Sequence, residues 1–214
     1  EMGVPFQKLI CASNAIEALT YFLSTGVYDR NRDFHQTISP SMDILVSSNL
    51  ERLLFFLTQD AAQVKGYMEE LSATGRYQVS DRVTEKLNRH FKGYRCDDQR
   101  TKETIRAVYH RAGYLIDPHT AVAFSALERY REETGDATPA IVVSTASPFK
   151  FCGSVLEALG ERETAQGLDA MDQLSAKTGI PVPAPLAGLR GKRVRFDQVV
   201  DKDRMAEAVL SLLG

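Results

Sequence analysis

The run Pro139-Ala-Ile-Val-Val-Ser-Thr145 sets the tightest limit on how this chain can fold. It is β-branched, uncharged and bounded by proline and a polar turn, which is the pattern of a strand buried on both faces. It leads through Ser147-Pro148 into a helical stretch, Phe151 to Leu159. Lys8-Leu-Ile-Cys-Ala-Ser13 repeats the theme near the start, followed by helix-forming residues to about Ser24 that Ser13-Asn14 can cap and Gly26 can end. Strand–turn–helix units of this kind predict an α/β chain with a parallel sheet, whose ligands lie beyond the carboxyl ends of the strands.

Between these units the pattern is helical. Tyr28 to Ser41 reads as a long polar loop. Ser41 can cap a helix in which Leu45, Leu50, Leu53, Leu54 and Leu57 recur at helical spacing to about Thr58. Further helices are predicted from Asp60 to Ala73, from Ser80 to Phe91 and from Gln99 to Ala112, with Asp98 opening the last. Short strands are expected at Tyr77-Gln-Val79 and Gly93-Tyr-Arg-Cys96. The 41–113 region is therefore mostly helical, and 114–214 is read as an α/β part. In that part Asp117-Pro118 starts a helix running to Glu133. A helix at 168–178, a proline-rich linker Pro181 to Pro185, an edge strand at Lys192 to Asp197 and a closing helix Met205 to Leu213 complete it.

The 214 residues carry a net charge of −2, with 26 basic and 28 acidic side chains. That balance gives no broad attraction to nucleic acid or to anionic lipid. No apolar run is long enough to cross a bilayer. The three cysteines (Cys11, Cys96, Cys152) and four histidines have no metal-like spacing, so neither zinc nor a disulfide frame is expected. Reduced thiols suit the cytoplasm. The opening Glu-Met-Gly-Val-Pro reads as the tail of a helix interrupted in mid-protein.

Chemistry has three candidate seats. Ser39-Pro-Ser-Met-Asp-Ile-Leu-Val-Ser-Ser-Asn-Leu-Glu-Arg52 crowds hydroxyls, an amide and an arginine at a helix entry. Helix amides with Ser41, Ser48 and Asn49 can bind an anion, and Arg52 can clamp it; the plain alternative is capping serines and a solvated Glu51-Arg52 pair. In Asp117-Pro-His119, a histidine in the first turn of a helix tends to stay neutral and to exchange hydrogen bonds with a ligand, or is simply a satisfied histidine. In Ser144-Thr-Ala-Ser-Pro-Phe-Lys150, Ser144 and Thr145 lie where such sheets place ligands, and either also fits a helix cap. Walker A, G-x-G-x-x-G, G-x-S-x-G and H-E-x-x-H sequences are all lacking.

Three segments in order carry a family resemblance: Thr25-Gly-Val-Tyr-Asp29 leading into Ser39 to Arg52; Ile116-Asp-Pro-His-Thr-Ala-Val122; and Ser144-Thr-Ala-Ser-Pro-Phe-Lys-Phe151. Together they resemble the C-terminal half of the threonine synthase family, from Lys8 to the last helix. The resemblance implies a partial tryptophan-synthase-like fold, that of type II pyridoxal-phosphate (PLP) enzymes, with the N-terminal half absent and 1–214 forming the remainder of the large domain. It implies conversion of O-phospho-L-homoserine and water to L-threonine and phosphate. Thr145, or Ser144, would face the PLP pyridine nitrogen; Ser41, Ser48, Asn49 and Arg52 would line the substrate side. Ser147 stands where many relatives have histidine. The family's Schiff-base lysine sits in a Phe-Lys-Asp context and its phosphate loop is Gly/Asn-rich; neither occurs in these residues, and Lys150 belongs to a different turn. The chain alone is therefore expected to be inactive and to bind PLP weakly, to require the N-terminal half, and to self-associate through an exposed apolar edge. The alternative is a non-catalytic α/β module that binds a small phosphorylated or amino-acid ligand.

Overall fold

A computed structural model describes residues 3, 5–162 and 164–213. The chain divides into two compact units, residues 1–180 and 181–214. In the first, β1 (Leu9–Ser13) pairs in parallel with β4 (Phe91–Arg95), in the register Leu9↔Phe91 to Ser13↔Arg95. A second ladder joins β2 (Val27–Asp29) antiparallel to β3 (Arg76–Gln78), with Tyr28 opposite Tyr77. Helices α1 (Ala18–Thr25), α2 (Asn49–Thr58), α3 (Ala61–Thr74), α4 (Asp81–His90), α5 (Asp98–Ala112), α6 (Pro118–Thr134), α7 (Cys152–Ala158) and α8 (Asp169–Thr178) surround the two ladders. The second unit holds α9 (Ala184–Ala187) and α10 (Met205–Leu213).

The helix limits follow from their caps. Asp60 accepts from the Ala62 and Gln63 amides at 2.9 and 3.0 Å, which satisfies donors that the first turn of α3 leaves free. Gly75 then ends α3 in the left-handed region, φ 78°, that glycine adopts without a Cβ penalty. At α5 the capping carboxylate is Asp97, which accepts from the Arg100 amide at 2.8 Å, one residue ahead of the expected Asp98. Asn14 does not cap α1 either; Glu17 enters that helix in a left-handed conformation, φ 49°.

Tyrosines organise one core. Tyr28 and Tyr77 stack at 5.4 Å between ring centres, and Tyr67 stacks on Tyr77 at 5.2 Å. Phe22, Leu54, Leu71 and Leu87 close around them from four helices. A buried phenol must find partners. Tyr28 donates to the Leu45 carbonyl at 2.9 Å and accepts from the Ser47 amide at 2.8 Å. Burial also raises the Tyr28 pKa above its ordinary value, so the hydroxyl stays protonated and able to donate. A second apolar layer is built from Ile105 and Val108 of α5, Val122 and Ala126 of α6, Val155 and Leu156 of α7, and Leu174 of α8, all buried.

Three further sequence expectations fail. The helix expected from Ser41 begins at Asn49, and only a single 3-10 turn, Pro40–Met42, precedes it. The intervening backbone is engaged elsewhere: His119 takes the Ser41 amide, and Tyr28 takes the Leu45 carbonyl and the Ser47 amide. The run 139–145 forms no strand; Ile141 and Val143 are 79% and 70% exposed. A strand needs a neighbour to take its backbone groups, and among the described residues no strand pairs with this run. The edge strand at 192–197 is likewise not formed. β2 is a gain, lying at the start of what reads as a loop.

Gly93 shows how closely α1 rests on β4. A Cβ there would sit 2.9 Å from the Thr20 Cα, a backbone atom that cannot move aside. Gly93→Ala is expected to destabilise the chain by about 1–3 kcal/mol. Gly66→Ala, in the open interior of α3 with nothing within 4 Å, should stabilise it by about 0.5–1 kcal/mol. Urea unfolding of the two variants measures both; equal effects would refute the close approach.

Candidate functional site

The first turn of α6 joins segments that are far apart in sequence. Asp117, fully buried, caps the helix by accepting from the His119 amide at 2.9 Å. The same carboxylate oxygen lies 2.9 Å from the His119 ring Nδ1, and the other accepts from the Thr120 hydroxyl. On its far side, His119 Nε2 accepts from the Ser41 amide at 3.1 Å. A ring nitrogen that accepts cannot carry a proton, so the proton is on Nδ1 and points at Asp117, and the imidazole is neutral. The ring also packs 4.8 Å from that of Phe151.

The network continues outward. Thr120 Oγ1 lies 3.0 Å from Ser144 Oγ. A hydroxyl has one proton, and that of Thr120 goes to the buried anion. Ser144 is thereby joined to the same hydroxyl that meets Asp117. Burial pushes the Asp117 carboxyl up, but hydrogen bonds from the His119 ring, the Thr120 hydroxyl and the His119 amide outweigh it and hold the group below the ordinary carboxylate value.

Two of the sequence candidates thus meet through this network: Ser41 by its backbone and Ser144 by its hydroxyl. Thr145 follows Ser144 on the exposed segment. Ser48, Asn49 and Arg52 form a separate exposed group at the start of α2, where Arg52 donates to the Asn49 side-chain oxygen. Ser147 accepts from the Phe149 amide at 3.3 Å and so caps the 3-10 turn Pro148–Lys150. Lys150 is exposed.

A second polar cluster escaped sequence reasoning. Asn14, buried at the carboxyl end of β1, donates to Asp43 at 2.7 Å and to Thr37 at 2.9 Å. Asp43 also accepts from the Thr37 hydroxyl and amide. The one available signal was position, an asparagine directly after a strand of a parallel pair.

Thiol chemistry finds no support. Burial raises the Cys152 pKa to about 11 and also raises that of Cys11, so both stay protonated near neutrality. Among the described residues no cluster of His, Cys, Asp or Glu can hold a metal ion, and no helix is long and apolar enough to cross a membrane.

Comparison with known proteins gives a consistent result. A family profile described as "Threonine synthase, C-terminal" matches residues 120–209. "Threonine synthase-like 1" of Macaca fascicularis is 40% identical over 164 residues, 76% of this chain and 22% of that protein. The crystal structure of yeast threonine synthase matches 99% of this chain and 43% of its own, with a TM-score of 0.83 and 32% identity. A PLP-bound threonine synthase from Brucella melitensis matches 80% of this chain and 37% of its own, with a TM-score of 0.69 and 37% identity. The chain spans less than half the length of these relatives.

Removing the buried anion tests the network. Asp117→Asn should cost about 2–3 kcal/mol at neutral pH, because donors now face an amide. The folded Asp117 pKa is depressed, so its contribution is complete above about pH 4 and is lost as pH falls through the folded value. The stability gap between parent and variant should therefore narrow below about pH 4. Urea midpoints across pH measure it, and a gap that widens in acid would refute the assignment.

Proposed function

Since the chain belongs with the C-terminal part of the threonine synthase family and shares the α/β fold of those PLP enzymes, we propose that it forms the substrate-side and ring-side wall of a PLP-dependent lyase. The reaction we infer is conversion of O-phospho-L-homoserine and water to L-threonine and phosphate. One observation carries this reading: two of the three family-like segments converge, through Ser41 and Ser144, on the His119–Asp117 network in the third.

The residues present suit one side of the cofactor. PLP, when bound, supplies the electron sink for elimination of the phosphate. Thr145 is the better donor to its pyridine nitrogen, because Ser144 is already engaged with Thr120. A neutral hydroxyl partner leaves that nitrogen unprotonated. Asp117 holds His119 in one tautomer, and His119 holds the Ser41 turn, which fixes the edge of the site. Ser41, Ser48, Asn49 and Arg52 present amide, hydroxyl and guanidinium donors suited to a phosphate or carboxylate. We take 1–214 as the remainder of a large domain, with 41–113 as its mainly helical stretch. The anchoring lysine and phosphate nest belong to the N-terminal half. The setting we infer is cytoplasmic, in keeping with three free thiols.

The similarity to threonine synthase-like 1 favours a second reading, in which the same donors bind a small phosphorylated or amino-acid ligand without turnover.

Complementation separates the two. The chain alone, mixed with PLP, should retain none after borohydride reduction. Co-expressed with a matching N-terminal half, it should release phosphate from O-phospho-L-homoserine. In that pair Thr145→Val should lower kcat by about ten- to a hundredfold, the worth of one hydrogen bond in a desolvated site, and Thr145→Ser should retain most of it. Turnover by the chain alone would overturn the proposal. An inactive pair that is still stabilised by phosphate, with the effect lost in Arg52→Ala, would establish the second reading.

A further inference from the structure

Three elements each send one side chain to the loop 37–43. Just past the carboxyl end of β1, Asn14 donates to Asp43 Oδ1 at 2.7 Å and to Thr37 Oγ1 at 2.9 Å. From the first turn of α5, Asp98 accepts from the Ile38 amide at 3.3 Å. From the first turn of α6, His119 accepts from the Ser41 amide at 3.1 Å. The loop is also closed on itself. Asp43 takes the Thr37 amide at 3.0 Å on one oxygen and the Thr37 hydroxyl at 2.7 Å on the other, so one carboxylate clasps both ends. Between them, the Met42 and Asp43 amides donate to the Ser39 and Pro40 carbonyls at 2.9 and 3.1 Å. The orientation of Asn14 is set by the Ile16 amide, which donates to its Oδ1 at 3.1 Å and leaves Nδ2 for the loop.

The loop uses its three hydroxyls, on Thr37, Ser39 and Ser41, unequally. That of Thr37 donates to Asp43 and accepts from the Asn14 side chain and the Ser39 amide. Ser39 is buried, with its Oγ 3.1 Å from Thr37 Oγ1 and 3.4 Å from Asn14 Nδ2. Ser41, in the middle of the Pro40–Met42 turn, is exposed, and among the described residues its hydroxyl has no hydrogen-bond partner. Two hydroxyls and a carboxylate thus fix the shape of seven residues, and the third hydroxyl is left over. A donor fixed before its ligand arrives need not be ordered on binding, which is where such fixing acts on affinity.

We infer that Asn14 and Asp43 are positioning residues, which hold the 37–43 loop in the one shape that delivers the Ser41 hydroxyl to the anionic group of the ligand. Asn14 is buried and its side-chain amide is fully engaged, so it acts through the loop and not by touching the ligand. The inference rests on the reading that Ser41 meets the phosphate or carboxylate of that ligand, and it holds whether the ligand is turned over or only bound. The bond between Asn14 and Asp43 can be broken and remade without a change of volume. Asn14→Asp sets an oxygen against Asp43 Oδ1, and two carboxylates at that distance repel. Adding Asp43→Asn returns a donor and an acceptor to the same two positions with their roles exchanged.

The test uses the chain co-expressed with a matching N-terminal half, and reads amide hydrogen exchange at Ser41 and Met42, KM and kcat for O-phospho-L-homoserine, and Kd for inorganic phosphate. Asn14→Asp should speed exchange at both amides by about tenfold or more, and the exchanged pair should restore it. Ser41→Ala should leave Met42 exchange unchanged. Ser41→Ala and Asn14→Asp should each raise KM and the phosphate Kd by about tenfold, with kcat within about twofold of the parent, as for a group that binds substrate and transition state alike. Combined, the two should still cost about tenfold, because the second acts only through the first. A combined loss of about a hundredfold would overturn the inference, as would failure of the exchanged pair to restore both exchange and KM. Unchanged KM and Kd in Ser41→Ala, with Thr145→Val and Arg52→Ala behaving as stated above, would sink this inference and leave the proposed function standing. A parent pair that neither turns over nor binds phosphate would remove both.

Discussion

Much of this structure turns on one buried carboxylate. Asp117 has no access to water, and an unsolvated anion persists only where donors replace the lost hydration. The donors come from the backbone and side chains of the next three residues, so the cost is met within one helical turn. The consequences reach much further. Fixing the His119 tautomer leaves its other nitrogen as an acceptor, and that acceptor takes an amide seventy-eight residues away. A local cap thereby becomes a long-range strut. Ser144 is tied in through Thr120, so two chain segments without regular secondary structure are held by one helix start.

Tyr28 does comparable work on the neighbouring residues 45–47. Its ring fills an aromatic stack, and its hydroxyl satisfies two backbone groups of the 45–47 segment. His119 and Tyr28 between them take backbone groups that a helix starting at Ser41 would have used. Local propensity lost to tertiary hydrogen bonding at that point, and the segment from Ser41 to Ser48 is irregular as a result. Such a segment can present backbone amides outward, as a continuous helix cannot.

What could be read from the sequence divides along physical lines. Asp-Pro at a helix entry is a local signal, and it located α6 and its cap. Helices ended by glycine were placed within a residue or two for the same reason. The order of the three family-like segments was also legible. Non-local events were not. Nothing near Asn14 announces that it will meet Thr37 and Asp43, because those contacts form only when the loop folds back over the end of β1. The run at 139–145 was misjudged for a related reason. Its composition records the burial such a run requires, while strand formation depends on a neighbour, and a neighbour is not encoded in the run itself.

That run has one more consequence, for the ribosome and the test tube alike. No charged side chain occurs between Asp136 and Lys150, so the segment has no internal gatekeeper against cross-β stacking. Pro139 and Pro148 break it only at its ends. A run of this composition is open to cross-β stacking wherever no neighbouring strand takes its backbone groups.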